Sequence, residues 1–151
     1  MTNEALIAAI TGIEAEAQTL TGPQFVETTV PLAGFHAFMK KIKEDPALLF
    51  DYLICVTGVD KAENLQMVYH LESTTHKHLL VVKVHSADRV NPVIPSVADL
   101  WPTSEFHERE AFDLLGITFS NHPDLRRMFL DDNWGYPLRK DYKDDIHIVS
   151  R

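Results

Sequence analysis

Hydrophobic residues in the first part of the chain recur at the spacing of helices, with one short strand between them. The first helical stripe consists of Leu6, Ile10, Ile13 and Ala17. It predicts an amphipathic helix that ends before the break at Gly22-Pro23. The stretch QFVETTV then has the composition of a short strand. From Pro31 to Ile42 a second stripe predicts a core-facing helix, with Pro46 beyond its end.

The middle of the chain contains three strand-like segments, FDYLICVTGV, LQMVYHLES and KHLLVVKVH. In the second of them, Leu65, Met67 and Tyr69 alternate with polar residues, as expected for an antiparallel strand buried on one face. The stretch STTHK is the predicted hairpin loop between the last two strands. Together the elements predict an α+β fold, a two-layer sandwich of a mixed, mainly antiparallel sheet with helices on one face.

The composition of the chain changes after about residue 86, where prolines become frequent. The stretch SADRVNPVIPSVADLWP holds three prolines and cannot form one regular element, so a structured loop or a short helix between loops is expected. We therefore divide the chain into an α+β domain over residues 1–103 and a second part over 104–151. The second part is predicted to be a helix followed by an extended C-terminal segment.

Charge and cysteine content exclude several classes of function. The formal net charge of -8 argues against nucleic acid as a partner and against binding to anionic lipid by charge alone. Cys55 is the only cysteine, so the chain cannot form an intrachain disulfide or a cysteine-held iron–sulfur cluster. Any contact with a membrane is expected to go through a protein partner, because no apolar run approaches the ~20 residues that cross a bilayer.

The stretch EFHEREAFDLLGI carries the densest charge and at first resembles a zinc-protease helix. That site needs histidines at i and i+4, but Ala111 stands four residues after His107, so we predict no zinc there. Ser104 is the expected N-cap and Gly116 the C-terminal stop of a helix. On that helix Glu108 falls within the apolar stripe, and a buried carboxylate must pair, accept hydrogen bonds or take up a proton.

Arginines are the expected partners of this carboxylate. Five of the six arginines lie in the last part of the chain, whereas six of the eight lysines lie before it. Arginine suits bidentate pairing with carboxylates in desolvated places, including interfaces. The candidates for pairing with Glu108 are Arg126, Arg127, Arg139 or an arginine of a partner chain. The alternative, an acid–base site of Glu108 and Glu110, lacks an accompanying nucleophile.

Other candidate sites are weaker. His70, His76 and His78 lie near one predicted hairpin, where a surface metal site is conceivable but solvated or hydrogen-bonded histidines are more common. Neither a Rossmann fingerprint nor a Walker loop occurs in the chain. The sequence therefore predicts no catalytic, cofactor-binding or metal-binding residue.

The stretch HEREAFDLLGITFSNHPDLRRMFLDDNWGYPLRKDY resembles the hallmark segment of the C subunit of NADH-quinone oxidoreductase, respiratory complex I. Upstream, VTGVD, MVYHL, VVKV and NPVIPSVADLWP resemble the preceding strands and proline-rich loop, so the resemblance covers about residues 48 to 142. Phe106 stands where the family usually has tryptophan and Ser104 where a small residue such as alanine is common. Residues 128–130 replace a more aliphatic trio, and all these changes keep size and polarity.

The resemblance implies a cofactor-free structural subunit of the hydrophilic arm, with FMN and iron–sulfur clusters on its neighbours. It implies that residues 104–151 are a docking helix and an extended C-terminal segment that pack on partner subunits. Those partners are the D subunit, which carries the quinone site, and the B and I subunits, at the cytoplasmic side of the inner membrane. The implied interface or structural ion-pair residues are Glu108, Arg109, Glu110, Asp113, His122, Asp124, Arg126, Arg127, Pro137, Leu138, Arg139, Lys140, Asp141 and Tyr142. The prolines of HPDLRR and YPLRKDY favour extended backbone before them, which would present backbone groups and arginines to a partner.

Two other hypotheses remain beside this one. The same domain could serve a related membrane-bound hydrogenase, since the electron donor would bind elsewhere. A small acid–base hydrolase centred on Glu108 and Glu110 would instead be active as a lone chain.

Overall fold

The computed structural model of the protein describes residues 2–144, and over these residues the chain forms three helices and seven strands. In chain order they are α1 (Asn3–Ile13), β1 (Gln18–Thr21), β2 (Val26–Thr29), α2 (Phe35–Glu44), β3 (Tyr52–Asp60), β4 (Leu65–Ser73), β5 (His78–Ser86), β6 (Val93–Pro95), α3 (Ser104–Leu115) and β7 (Thr118–Ser120). The last seven residues of the predicted C-terminal segment, 145–151, lie outside the described residues.

Five strands form one sheet in the order β1-β2-β5-β4-β3. Three of the four pairings are antiparallel, and only β2 with β5 is parallel. The hairpin between β4 and β5 turns at Thr74–Lys77, which confirms the loop predicted from STTHK. The prediction of a mixed, mainly antiparallel sheet is therefore confirmed.

Alternate residues of the sheet point into a single core. Along β4 every second side chain from Leu65 to Ser73 is buried, and the intervening ones are half-exposed. The Phe35 ring of α2 lies 5.4 Å from the Tyr69 ring on that buried face. On the same face α3 sits so close to β3 that a Cβ at Gly58 would lie 2.5 Å from Cδ1 of Leu115. The helices thus cover one side of the sheet, as the α+β prediction required.

Three local predictions were wrong. The first helix ends at Ile13 rather than near Ala17, because the chain turns there and residues 18–21 pair with β2 as an unpredicted edge strand. The proline-rich stretch contains a three-residue strand, β6, which pairs in parallel with β7. Ser104 is the first helical residue and not the N-cap, which is Thr103 and makes no side-chain cap bond.

Residues 121–144, called the C-terminal segment below, contain no helix or strand. They are nevertheless hydrogen-bonded to the preceding helices and strands of the same chain. The Leu138 N–H donates to the Leu114 carbonyl at 3.1 Å, and the Lys140 N–H donates to the Asp60 carboxylate at 2.9 Å. The segment therefore returns from the end of α3 to the end of β3, against the same core.

Candidate functional site

The charged residues of α3 divide between its buried and its exposed sides. Glu108 and Asp113 are fully buried and Arg109 is nearly so, whereas Glu110 is exposed. The two glutamates therefore do not face one cavity, and the paired acid–base arrangement of the hydrolase hypothesis is not formed. The buried three each contact an irregular part of the chain: the two carboxylates accept hydrogen bonds from it, and Arg109 donates hydrogen bonds to it.

Glu108 binds the proline-rich stretch that precedes the helix. Its carboxylate accepts hydrogen bonds from the Ser96 hydroxyl at 2.5 Å, the Val97 N–H at 2.9 Å and the Ser104 hydroxyl at 2.7 Å. Nε2 of His122, a fully buried side chain, lies 3.8 Å away. The prediction that an arginine pairs with Glu108 was wrong, because hydroxyl and backbone donors already surround the carboxylate and no solvent-exposed atom is left for a partner chain.

The pKa of Glu108 is raised above its usual value. Burial is the main cause, and the hydrogen bonds from Ser96, Val97 and Ser104 oppose it without cancelling it. Burial also raises the pKa of the Tyr69 hydroxyl well above its usual value, and the nearby Glu108 charge adds to that effect. Both shifts follow from the complete burial of the two side chains.

Arg109 and Asp113 bind the C-terminal segment from the next turns of α3. Arg109 donates from Nε to the Arg126 carbonyl at 3.2 Å and from Nη2 to the Arg127 carbonyl at 3.3 Å. Oδ2 of Asp113 accepts the three successive N–H groups of residues 128–130, at 3.0, 2.6 and 3.1 Å. A cationic side chain thus meets carbonyl groups and an anionic one meets N–H groups, on consecutive residues of one stretch of backbone.

The pKa of Asp113 reflects two opposing effects. Burial acts to raise the pKa. The three backbone donors and the charge of Arg127, whose Nη1 lies 3.5 Å from Oδ1, lower the pKa by more than burial raises it. The net pKa lies below the ordinary value, so the charged form is the stable one in the folded chain.

Arg127 and Arg139 point inward and not towards a partner. Arg127 donates to the carbonyls of Asp131, Trp134 and Gly135 at 2.9 to 3.1 Å, which closes a loop of the C-terminal segment. The Arg139 Nε donates to the Leu115 carbonyl at 2.7 Å, where α3 ends, and its Nη1 donates to the Arg89 carbonyl at 2.9 Å. The expectation that these guanidinium groups are presented to a partner was therefore wrong.

Both arginines also contact one aromatic ring. The guanidinium carbons of Arg127 and Arg139 lie 5.3 and 5.0 Å from the centre of the Tyr136 ring. The same ring approaches Gly116, where a Cβ would lie 2.5 Å from Cε2 of Tyr136 and where φ is +71°. Glycine is therefore required at the end of α3 both by its backbone conformation and by the close ring.

Sequence reasoning missed a second carboxylate that binds the C-terminal segment. Asp60, at the end of β3, accepts two hydrogen bonds from Arg89, at 2.6 and 3.0 Å, and one from the Lys140 N–H. Arg89 Nη2 also reaches the Asp141 carboxylate at 3.3 Å. Hydrogen bonds from Arg89 hold the pKa of Asp60 far below its usual range. The available signal was that Asp60 lies in phase with Val56 on the buried face of β3.

Most of the remaining predicted residues lie nearer the surface, whereas the His122 side chain is buried. Arg126 and Asp124 pair with each other at 2.9 Å, and both side chains are more than half exposed in this chain, so their place in a partner interface stays a prediction. Pro137 and Tyr142 are half-buried, and the Tyr142 hydroxyl donates to Asp144. Nδ1 of His122 accepts the Asp124 N–H at 3.0 Å, and its Nε2 contacts the Glu105 carbonyl at 3.1 Å.

The histidines near the β4–β5 hairpin do not converge on one point. His70 contacts Cys55 at 3.4 Å, whereas His76 and His78 contact the carbonyls of Pro46 and Leu48. Within residues 2–144, no group of three or more histidine, cysteine or acidic side chains could hold a metal ion. In the same range, no helix has the length and apolar character needed to cross a bilayer.

Comparison with known proteins points to one family. A family model described as the 30 kDa subunit of respiratory-chain NADH dehydrogenase matches residues 28–146. The C subunit of NADH-quinone oxidoreductase from Chloroherpeton thalassium is 51% identical over 105 residues, which are 68% of this chain and 43% of that protein. The fused C/D subunit of Phocaeicola vulgatus is 43% identical over 120 residues, which are 78% of this chain and 23% of that protein.

A solved structure shares the fold. It belongs to a membrane-bound sulfane sulfur reductase, described as an archaeal respiratory membrane complex. It has a TM-score of 0.79 at 26% identity and covers 93% of this chain and 85% of that one. The chain spans less than half the length of the two curated relatives above. On the extent of the family match and the identity of these relatives, the chain belongs to the family of the respiratory-chain NADH dehydrogenase 30 kDa subunit.

Proposed function

We propose that the chain is a structural and docking subunit in the peripheral arm of a proton-translocating NADH-quinone oxidoreductase, with no active site of its own. Electrons would pass from NADH through FMN and iron–sulfur clusters on other subunits to quinone. The chain would lie at the cytoplasmic side of the inner membrane and touch the membrane only through the complex. Its contribution to catalysis is positional.

Fusion in relatives is the observation that carries this proposal. In the proteins of Phocaeicola vulgatus and Bacteroides thetaiotaomicron, the C and D subunits form one chain. Covalent linkage raises the effective concentration of two modules for each other, so it favours pairs that are in contact. It supports the D subunit as the first partner of this chain, while the B and I subunits remain predictions from the resemblance.

The surface of the C-terminal segment supports a docking role. Phe129 and Leu138 are 62% and 59% exposed, and Phe106 of α3 is 58% exposed. The backbone of Phe129 and Leu138 is held by the inward hydrogen bonds of the segment, and that of Phe106 by α3, so these apolar side chains project from a fixed frame. Exposed aromatic and aliphatic side chains on a fixed frame are typical of surfaces that bury a partner.

Affinity purification of the tagged native chain from its own cells tests the proposal. Recovery of a homologue of the D subunit together with flavin-containing and NADH-binding subunits is the expected result. A monomeric chain that carries hydrolytic activity by itself would contradict it.

A second candidate function is the equivalent subunit of a related membrane-bound respiratory complex with a different redox reaction. The fold similarity to the sulfane sulfur reductase complex favours this candidate. The same purification separates the two, because a nickel–iron large subunit or a sulfur-reducing partner would replace the NADH-binding subunits.

A further inference from the structure

Glu110 differs from the other charged residues of the α3 motif. Glu108, Arg109 and Asp113 are buried and bonded to the chain itself, whereas Glu110 is exposed on the opposite side of the helix. No residue between 2 and 144 makes a hydrogen bond or ion pair with its carboxylate. Its charge is therefore available to another molecule.

Glu110 lines a groove between α3 and β3, called the α3–β3 groove below. The groove is lined by Thr57 and Gly58 of β3, by His107, Glu110 and Leu114 of α3, and by Leu138 of the C-terminal segment. It has a volume of about 220 Å³ and is open on one side. Apart from Glu110 its lining residues carry no carboxylate, lysine or arginine, so one fixed negative charge stands in a mostly apolar cleft.

This combination fits a long basic side chain. The stem of an arginine or lysine is apolar over three or four methylene groups, and its head is cationic. The stem would pack against Leu114 and Leu138, and the head would reach Glu110 at the helix surface. We propose that the α3–β3 groove receives an arginine or lysine side chain of a partner subunit, which Glu110 binds as an ion pair. The inference rests on the proposed docking function and names the chemistry of the contact.

The C-terminal segment forms one wall of the groove and fixes its position. Leu138 donates its N–H to Leu114 and is followed by Arg139, which is tied to the end of α3. The wall that Leu138 contributes is therefore set by the chain's own hydrogen bonds. A basic side chain would meet a preformed cleft, which lowers the entropic cost of binding.

The test uses the native chain and its variants expressed in place of the native gene product, with the membrane-bound complex solubilised intact. The measured quantity is the affinity of the chain for the rest of the arm, at salt concentrations from about 50 mM to about 500 mM, because an ion pair weakens as salt screens it. Glu110→Gln is expected to weaken binding at least about tenfold at low salt and to flatten its salt dependence. Glu110→Lys should weaken it further, since it places like charges together.

Glu63→Gln is the matched control, because Glu63 is an exposed glutamate in the turn between β3 and β4, away from the groove. It should bind as the native chain does. Leu138→Ser should weaken binding equally at all salt concentrations, as expected for the apolar wall.

Two results would overturn the inference. Native-like binding of Glu110→Gln at every salt concentration would show that the charge has no partner. Binding of Glu110→Lys as strong as, or stronger than, that of Glu110→Gln would show that the facing group is not a cation. Both results leave the docking function intact, whereas a native chain that joins no membrane complex would refute the docking function itself.

Discussion

The Asp113→Asn variant tests whether the charged helix organises the C-terminal segment. The substituted amide would keep the shape of the side chain but lose its negative charge. In the native chain one oxygen of Asp113 accepts three backbone N–H groups, and the side chain is fully buried. The variant should therefore leave those donors weakly bonded and residues 128–130 poorly held.

The size of the effect follows from the number and type of bonds. A hydrogen bond to a charged group contributes about 1.5–3 kcal/mol net. Three bonds to one oxygen are not additive, and the amide of the variant still accepts part of them. We expect the free energy of unfolding to fall by about 2–4 kcal/mol, a large share of the ~5–15 kcal/mol typical of a domain.

Urea denaturation of the isolated chain measures the loss of stability, and amide hydrogen exchange measures how firmly residues 128–130 are held. Exchange at residues 128–130 should accelerate in Asp113→Asn, and the urea midpoint should fall at unchanged slope. Asp124→Asn is the matched control, since Asp124 is half-exposed on the same segment, and it should change the stability by at most about 0.5 kcal/mol. If Asp113→Asn kept both the native midpoint and the native exchange rates, the proposed role of Asp113 in ordering the segment would be refuted.

The sign of the pH dependence gives an independent check. The folded-state pKa of Asp113 lies below its ordinary value of 3.8. The unfolded state therefore binds the proton more tightly, and the contribution of Asp113 to stability is present above the unfolded pKa and lost as the pH falls. Asp113→Asn should unfold less steeply on acidification than the native chain does.

Three further predictions concern other parts of the same structure. Gly58→Ala should cost about 1–3 kcal/mol of stability by urea denaturation, because its Cβ would lie 2.5 Å from a leucine methyl group, whereas Gly12→Ala meets nothing within 4 Å and should be neutral or stabilising. Arg139→Ala leaves two backbone carbonyls without their donor and should lower the free energy of unfolding, measured by urea denaturation, by about 2 kcal/mol. Arg126→Ala changes an exposed side chain and should lower it by at most about 0.5 kcal/mol, so equal losses in the two variants would contradict the geometry. Because the folded-state pKa of Glu108 is raised above 4.5, the native chain should lose stability as the pH rises above that value, and Glu108→Gln should not, as thermal melts across pH would show.

Elements with strong periodicity could be predicted from the sequence alone. The β4 strand alternates cleanly from Leu65 to Ser73, and its predicted and observed bounds coincide. The edge strand β1 could not be found in this way, because Gln18–Thr21 is mostly exposed and is defined by its pairing with β2. Likewise β6 and β7 have three residues each and are strands only because they pair with each other, although α3 separates them in the sequence.

The burial of Glu108 could be predicted from the sequence, but its hydrogen-bond partners could not. The helical wheel placed Glu108 among apolar side chains, and the structure buries it completely. The expected partner was an arginine, since opposite charges are the usual solution for a buried carboxylate. The donors are instead hydroxyl and N–H groups of residues 96, 97 and 104, and a sequence pattern does not show which backbone groups lack partners.

The charged residues of α3 resemble those of a catalytic helix because several of them bond irregular backbone, and they do so without forming an acid–base pair. Irregular segments such as residues 96–100 and 126–130 cannot pair most of their backbone groups within a helix or sheet, so side chains must do so. A carboxylate is suited to several N–H groups and a guanidinium to several carbonyls, and Asp113 and Arg109 are used in this way. Ordering these segments within the chain reduces the conformational entropy that a partner must overcome on binding. In the docking function proposed above, the buried charges of α3 order the chain itself without touching the partner, and the exposed Glu110 is the residue proposed to contact it.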